Sequence, residues 1–102
     1  TLYGDLKDGV SESDVQEAYR EFHKANTFVR IYPRDAAVAS VHVRGTHYCN
    51  LVVDADMRTR KLRVVSYIDN LVKGQAGSAL QNMNLLFGLP ETTGLERPGQ
   101  CP

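Results

Sequence analysis

The stretch Gly74 to Pro90 contains no charged residue, in a chain that is 24% charged overall. Its spacing predicts a helix over 74–87. Ala76, Ala79, Leu80, Met83, Leu86 and Phe87 form an apolar stripe, and Gln75, Ser78, Gln81, Asn82 and Asn84 lie opposite. Gly88 suits the position just past a helix end, and Pro90 stops the helix. An uncharged helix implies burial on more than one side, yet 102 residues cannot easily surround a helix. Either this helix packs against something outside the chain, another domain or another subunit, or it is an ordinary half-buried helix with an Asn/Gln surface.

The remaining elements follow from shorter signals. Leu2 and Tyr3 mark a short strand. Ser11 with Asp14 forms a capping-box pattern ahead of Val15, Ala18, Tyr19 and Phe22, which predicts an amphipathic helix ending near Asn26. Phe28 to Tyr32 is β-rich and ends at Pro33; 34–40 reads as a loop, and Val41-His42-Val43 as a brief strand. In Tyr48 to Ala55, residues Cys49, Leu51, Val53 and Ala55 share one face. Leu62, Val64, Ser66 and Ile68 alternate in the same way, and the short turn between the two runs predicts a hairpin. One domain over 1–102 follows, of α+β class: a mixed, mostly antiparallel sheet with helices packed on one face.

Charge and composition exclude several functions. Twelve basic and twelve acidic side chains cancel, which argues against a nucleic-acid backbone as partner. No apolar run reaches membrane-span length. Thr1 to Asp5 has none of the basic or apolar character of a signal peptide, and the two cysteines, Cys49 and Cys101, do not make a secreted disulfide scaffold. A cytoplasmic protein is expected. His23, His42 and His47 lack zinc-ligand spacing, so no metal is expected.

Three places could carry chemistry. Cys49 lies near His47 and His42, as a thiol nucleophile and its base would, but the strand pattern puts it among core residues. Arg44-Gly45-Thr46-His47 could hold a carboxylate or phosphate, or be a solvated turn. The junction Asp69-Asn70-Leu71-Val72-Lys73-Gly74-Gln75-Ala76-Gly77 ends a strand and opens a helix with small residues. It could admit an anion, a carboxamide or a flat ligand, or merely seat a helix on a sheet.

From that junction onward the sequence resembles a known family. The run from Asp69-Asn70 through Lys73-Gly74, Gln81-Asn82-Met83-Asn84 and Pro90-Glu91-Thr92-Thr93-Gly94-Leu95 is similar to the C-terminal signature of N-acetyl-gamma-glutamyl-phosphate reductases. Phe28-Val29-Arg30-Ile31-Tyr32-Pro33 and Val43-Arg44-Gly45-Thr46-His47-Tyr48-Cys49 match that family too. The resemblance covers essentially the whole chain, and about the last third of the family's length.

It implies a glyceraldehyde-3-phosphate-dehydrogenase-like C-terminal domain, the substrate and oligomerisation part of an NADPH-dependent enzyme. Such an enzyme reduces N-acetyl-glutamyl phosphate to the semialdehyde in arginine biosynthesis. The resemblance implies that the catalytic Cys and His and the nucleotide-binding domain lie upstream, that the chain alone is inactive, and that the 74–87 helix packs against that missing domain. It places Asn70, Lys73, Gly74 and Gly77 beside NADPH, and Arg44, Gly45, Thr46 and His47 along the substrate. The family commonly has Asn where His47 stands, and a small residue where Gln75 stands. A homodimer or homotetramer is implied. The other reading is a free-standing small-molecule-binding or dimerisation module.

Overall fold

Ser11 and Asp14 cap the first helix reciprocally. The Asp14 N–H donates to Ser11 Oγ at 3.1 Å, and the Ser11 N–H donates to the Asp14 carboxylate at 2.9 Å. The computed structural model, which describes residues 1–100, begins helix α1 there, at Glu12–His23. Four strands form one sheet: β1 (Leu2–Asp5), β2 (Val29–Tyr32), β3 (Cys49–Asp56) and β4 (Lys61–Tyr67), in the order β1-β4-β3-β2. β1 runs antiparallel to β4 with Tyr3 opposite Arg63 and Asp5 opposite Lys61. The link from β3 to β4 is too short for a crossover, so these neighbours form the expected hairpin. Asp56 closes its turn by accepting the N–H groups of Arg58 and Thr59.

The chain divides into two compact units, one of Thr1–Val38 with Asn50–Ser66, the other of Ala39–Cys49 with the chain from Tyr67 on. The first unit has its own core of Val15, Val53, Ala55 and Val64, with Leu6, Val10, Tyr19, Ile31, Leu51 and Leu62 packed around it. The apolar alternation of both hairpin strands therefore points at α1, as the pattern requires. α1 is also tied down by Gln16, whose side-chain amide donates to the Val53 carbonyl at 2.5 Å. The opposite face of β3 is less wet than alternation implies. Asn50 and Asp54 are buried there, and Asp54 is paired with Arg63 at 2.7 Å and Arg34 at 3.8 Å. The α+β class holds.

The second unit departs from the sequence reading in two places. Val41-His42-Val43, expected as a strand, belongs to a 3₁₀ turn over Ser40–Val43, with His42 Nδ1 accepting the Ala39 N–H at 3.1 Å. The single helix expected over 74–87 is instead a π turn, Val72–Ala76, running into α2, Gly77–Leu86. The end of α2 is as expected. Gly88 sits at φ +67°, Leu89 N–H reaches the Asn84 carbonyl at 2.8 Å, and Gly88 N–H reaches that of Leu85.

The packing of α2 departs from its apolar pattern. Its buried residues are Gly77 and Asn84, while Met83 is 42% exposed, Leu86 84% and Phe87 76%. Gly77, Asn84 and the half-buried Leu80 face the unit, while Met83, Leu86 and Phe87 face outward. Asn84 has no exposed surface because its side-chain amide donates to the Glu91 and Thr93 carbonyls, at 3.1 and 3.0 Å. No helix among the described residues is long and apolar enough to cross a membrane.

Candidate functional site

Asp69 organises the second unit where β4 gives way to the π turn. Its carboxylate accepts three backbone N–H groups: Leu71 at 2.8 Å, Val72 at 3.0 Å and, from the other segment, Gly45 at 2.9 Å. The Gly45 and Val72 N–H groups, with a smaller pull from Leu71 and from the Arg44 charge, hold its carboxyl below the ordinary carboxylate value. One side chain thus caps the turn and ties it to the Arg44 loop. In the sequence Asp69 heads the candidate junction without a role of its own. Its signal was an Asp just ahead of a helical start, where a capping oxygen is favoured.

The π turn is drawn by its hydrogen bonds, each spanning one residue more than in an α-helix. Gly74 N–H reaches the Asp69 carbonyl at 3.0 Å, Ala76 N–H that of Leu71 at 3.0 Å, and Gly77 N–H that of Val72. This geometry brings Gly77 against His47. A Cβ at Gly77 would lie 2.4 Å from His47 Nδ1 and 2.6 Å from the Val72 carbonyl oxygen, so only glycine fits.

His47 has no exposed surface. Its Nε2 lies 2.7 Å from Gln81 Oε1, an oxygen that also accepts from Lys73 Nζ at 3.1 Å, and Lys73 Nζ is 3.3 Å from Nε2. Gln81 in turn donates to Glu91. Burial pushes the imidazole below its ordinary pKa and Lys73 pushes the same way; the Gln81 bond and the Glu91 charge oppose them. His47 is therefore a buried imidazole, held toward its neutral form in a packed network. Gln81 and Glu91 stand in the sequence as members of the resembling runs; no local pattern marks their network, because His47 lies 34 residues before Gln81.

The predicted residues now fall into two groups. Arg44 and Asn70 are exposed and open on one cleft of about 320 Å3, lined also by Ser40, Val41, Ile68 and Asp69. Gly74, on the exposed side of the π turn, leaves room beside Asn70, where a Cβ would stand 3.3 Å from Asn70 Oδ1. Thr46, His47, Lys73 and Gly77 instead face inward. The Thr46 hydroxyl donates to the Val43 carbonyl at 2.7 Å and accepts the Tyr48 N–H at 3.3 Å, while Gly45 takes φ +72° and completes the turn. These inward residues shape the loop that presents Arg44. Gly45, His47, Gly77 and Arg97 line a second, mostly apolar cavity of about 190 Å3.

Cys49 is half-buried at the start of β3, and Cys101 lies outside the described residues. Among the described residues no group of three or more His, Cys, Asp or Glu could hold a metal ion.

A family model described as semialdehyde dehydrogenase, dimerisation domain, matches residues 1–70. Among curated relatives, N-acetyl-gamma-glutamyl-phosphate reductase of Halothermothrix orenii is 43% identical over the whole chain, which spans 29% of that protein. The protein of the same name from Symbiobacterium thermophilum is 48% identical over 97% of the chain and 28% of its own length. That of Geobacter metallireducens is 45% identical over 94% of the chain, again 28% of its length.

Proposed function

The chain belongs to the semialdehyde dehydrogenase dimerisation-domain family, and on that premise we propose that it is the C-terminal substrate and oligomerisation part of an NADPH-dependent N-acetyl-gamma-glutamyl-phosphate reductase. The reaction is reduction of N-acetyl-glutamyl phosphate to N-acetyl-glutamate semialdehyde with release of phosphate, a cytoplasmic step of arginine biosynthesis. The protein works as a homo-oligomer, and the catalytic Cys and His and the nucleotide-binding domain come from outside these 102 residues. The relatives' names support the reaction class.

The observation that carries the reading is the convergence of Arg44 and Asn70 on one cleft. Arg44 offers an exposed guanidinium, suited to a carboxylate or phosphate of the substrate. Asn70 offers a side-chain amide, a donor and an acceptor together, which matches the carboxamide of a nicotinamide. Asn70 and the exposed Gly74 fit that group, and Lys73 and Gly77, proposed to border the cofactor with them, are packed against His47 and Gln81. When bound, the cofactor supplies a hydride. What this chain's residues do is bind the anion, orient the amide and hold the loop that presents both. The outward apolar stripe of α2 supports a second element of the reading, that α2 packs against the nucleotide-binding domain.

Calorimetric titration of NADPH tests this, using the 102-residue chain and a chain extended by the upstream domains. The expected result is no binding to the short chain and binding to the long one that weakens in Asn70→Ala. Tight binding by the short chain alone would replace this reading with a free-standing binding module.

A further inference from the structure

The end of the described chain returns to the loop that carries Arg44. Leu95 is buried and anchors the segment, helped by the two hydrogen bonds from Asn84 to the carbonyls of Glu91 and Thr93. Beyond it the Gln100 N–H donates to the Arg44 carbonyl at 2.9 Å. The Gln100 side chain lies on Gly45, where a Cβ would come 3.0 Å from Gln100 Cγ and 3.2 Å from Cδ. Gly99 lies on Thr46, where its own Cβ would meet Thr46 Cγ2 at 3.4 Å and the Arg44 carbonyl oxygen at 3.6 Å. From the other side the Asp69 carboxylate holds the Gly45 N–H.

A short polar loop with a left-handed glycine at φ +72° does not keep one shape unaided, since each residue held in one conformation loses entropy. Here both of its flanks are gripped. We infer that residues 95–100 form a strap that positions the Arg44-Gly45-Thr46 loop, and that Gln100 is a positioning residue for the anion-binding guanidinium. The inference rests on the substrate role proposed for Arg44. The strap reaches substrate only through the loop: Gln100 grips the backbone of Arg44 and leaves its side chain on the cleft.

Gln100→Pro removes the N–H that Arg44 accepts, and Gln100→Ala keeps it while stripping the side chain from Gly45. In the intact protein, Gln100→Pro is expected to speed deuterium exchange over residues 43–47 about tenfold, the worth of one net backbone hydrogen bond. It should raise KM for the acyl phosphate by a similar factor and leave kcat within about twofold, the mark of lost ground-state binding. Gln100→Ala should move both readouts the same way and less. Unchanged exchange in both variants would overturn the strap. Faster exchange with an unmoved KM would support the strap as a loop clamp and overturn the substrate role of Arg44 instead.

Discussion

Replacing Gly77 with alanine asks whether the π turn and His47 are one packed unit. The added Cβ would lie 2.4 Å from His47 Nδ1, 2.6 Å from the Val72 carbonyl oxygen and 2.9 Å from its carbon. Neither neighbour can swing aside: Val72 contributes backbone, and the His47 ring has no exposed surface. Overpacking of a well-packed site costs roughly 1–3 kcal/mol. Displacing the ring from Gln81 adds about 1–3 kcal/mol for a buried polar group left without its bond. Alanine returns about 0.5–1 kcal/mol through helix propensity and a stiffer unfolded chain. At the middle of each range the net expectation is a loss of about 3 kcal/mol, and a fall in Tm of roughly 12–24 °C for a domain of this size. Urea and thermal unfolding followed by circular dichroism measure it. Gly74→Ala is the control: its Cβ would meet Asn70 Oδ1 at 3.3 Å, a side-chain end that can move, and the change should stay within about 1 kcal/mol. In a His47→Ala background Gly77→Ala should cost less, because only the Val72 contact remains. A Gly77→Ala protein as stable as the Gly74→Ala control would refute the packing argument.

Three further outcomes are expected. Burial holds His47 below its ordinary value of 6.5, so near that pH the unfolded chain takes up a proton that the folded chain refuses. Its contribution is therefore complete above pH 6.5 and is lost as pH falls through the lowered folded value. Urea midpoints of wild type and His47→Gln should separate above that window and draw together below it. Asp69→Ala removes the acceptor of three N–H groups, so exchange at Gly45, Leu71 and Val72 should accelerate together; Asp69→Asn, which keeps one acceptor oxygen, should do less. Its carboxyl is held below 3.8, so the wild-type protection is present above that pH and fades on acidification through the folded value. Leu86→Glu changes a side chain that is 84% exposed, so it should alter the unfolding midpoint of the 102-residue chain little. It should weaken NADPH binding by the extended chain, as loss of a docking face would.

Much of the first unit was legible because local signals and packing agree there. The Ser11–Asp14 box starts α1 where expected, and Leu51, Val53, Ala55, Leu62 and Val64 point to the core that their alternation predicts. Val41-Val43 misled because β-branched residues were read by propensity alone; His42 capping the Ala39 N–H makes the segment a 3₁₀ turn. The π turn was invisible for a similar reason. It carries Gly77 beneath His47, a contact between residues that share no local pattern.

The 74–87 stretch carries a more general lesson about apolar periodicity. The stripe of Ala76, Ala79, Leu80, Met83, Leu86 and Phe87 was real, and a helix did form, yet of these only Leu80 is half-buried, and the residues fully buried within the chain are Gly77 and Asn84. Periodicity identifies a face that avoids water; it does not say which surface covers it. Asn84 settles the orientation, since its side-chain amide needs the Glu91 and Thr93 carbonyls and would lose both if the helix turned round. An outward stripe whose residues reach 84% exposed, on a helix held in place by buried polar bonds, is what a docking face requires. The same polar bonds hold the turn that leads to Leu95 and the strap on the Arg44 loop. The helix face proposed to meet the nucleotide-binding domain and the loop proposed to meet substrate are therefore built on one hydrogen-bonded scaffold.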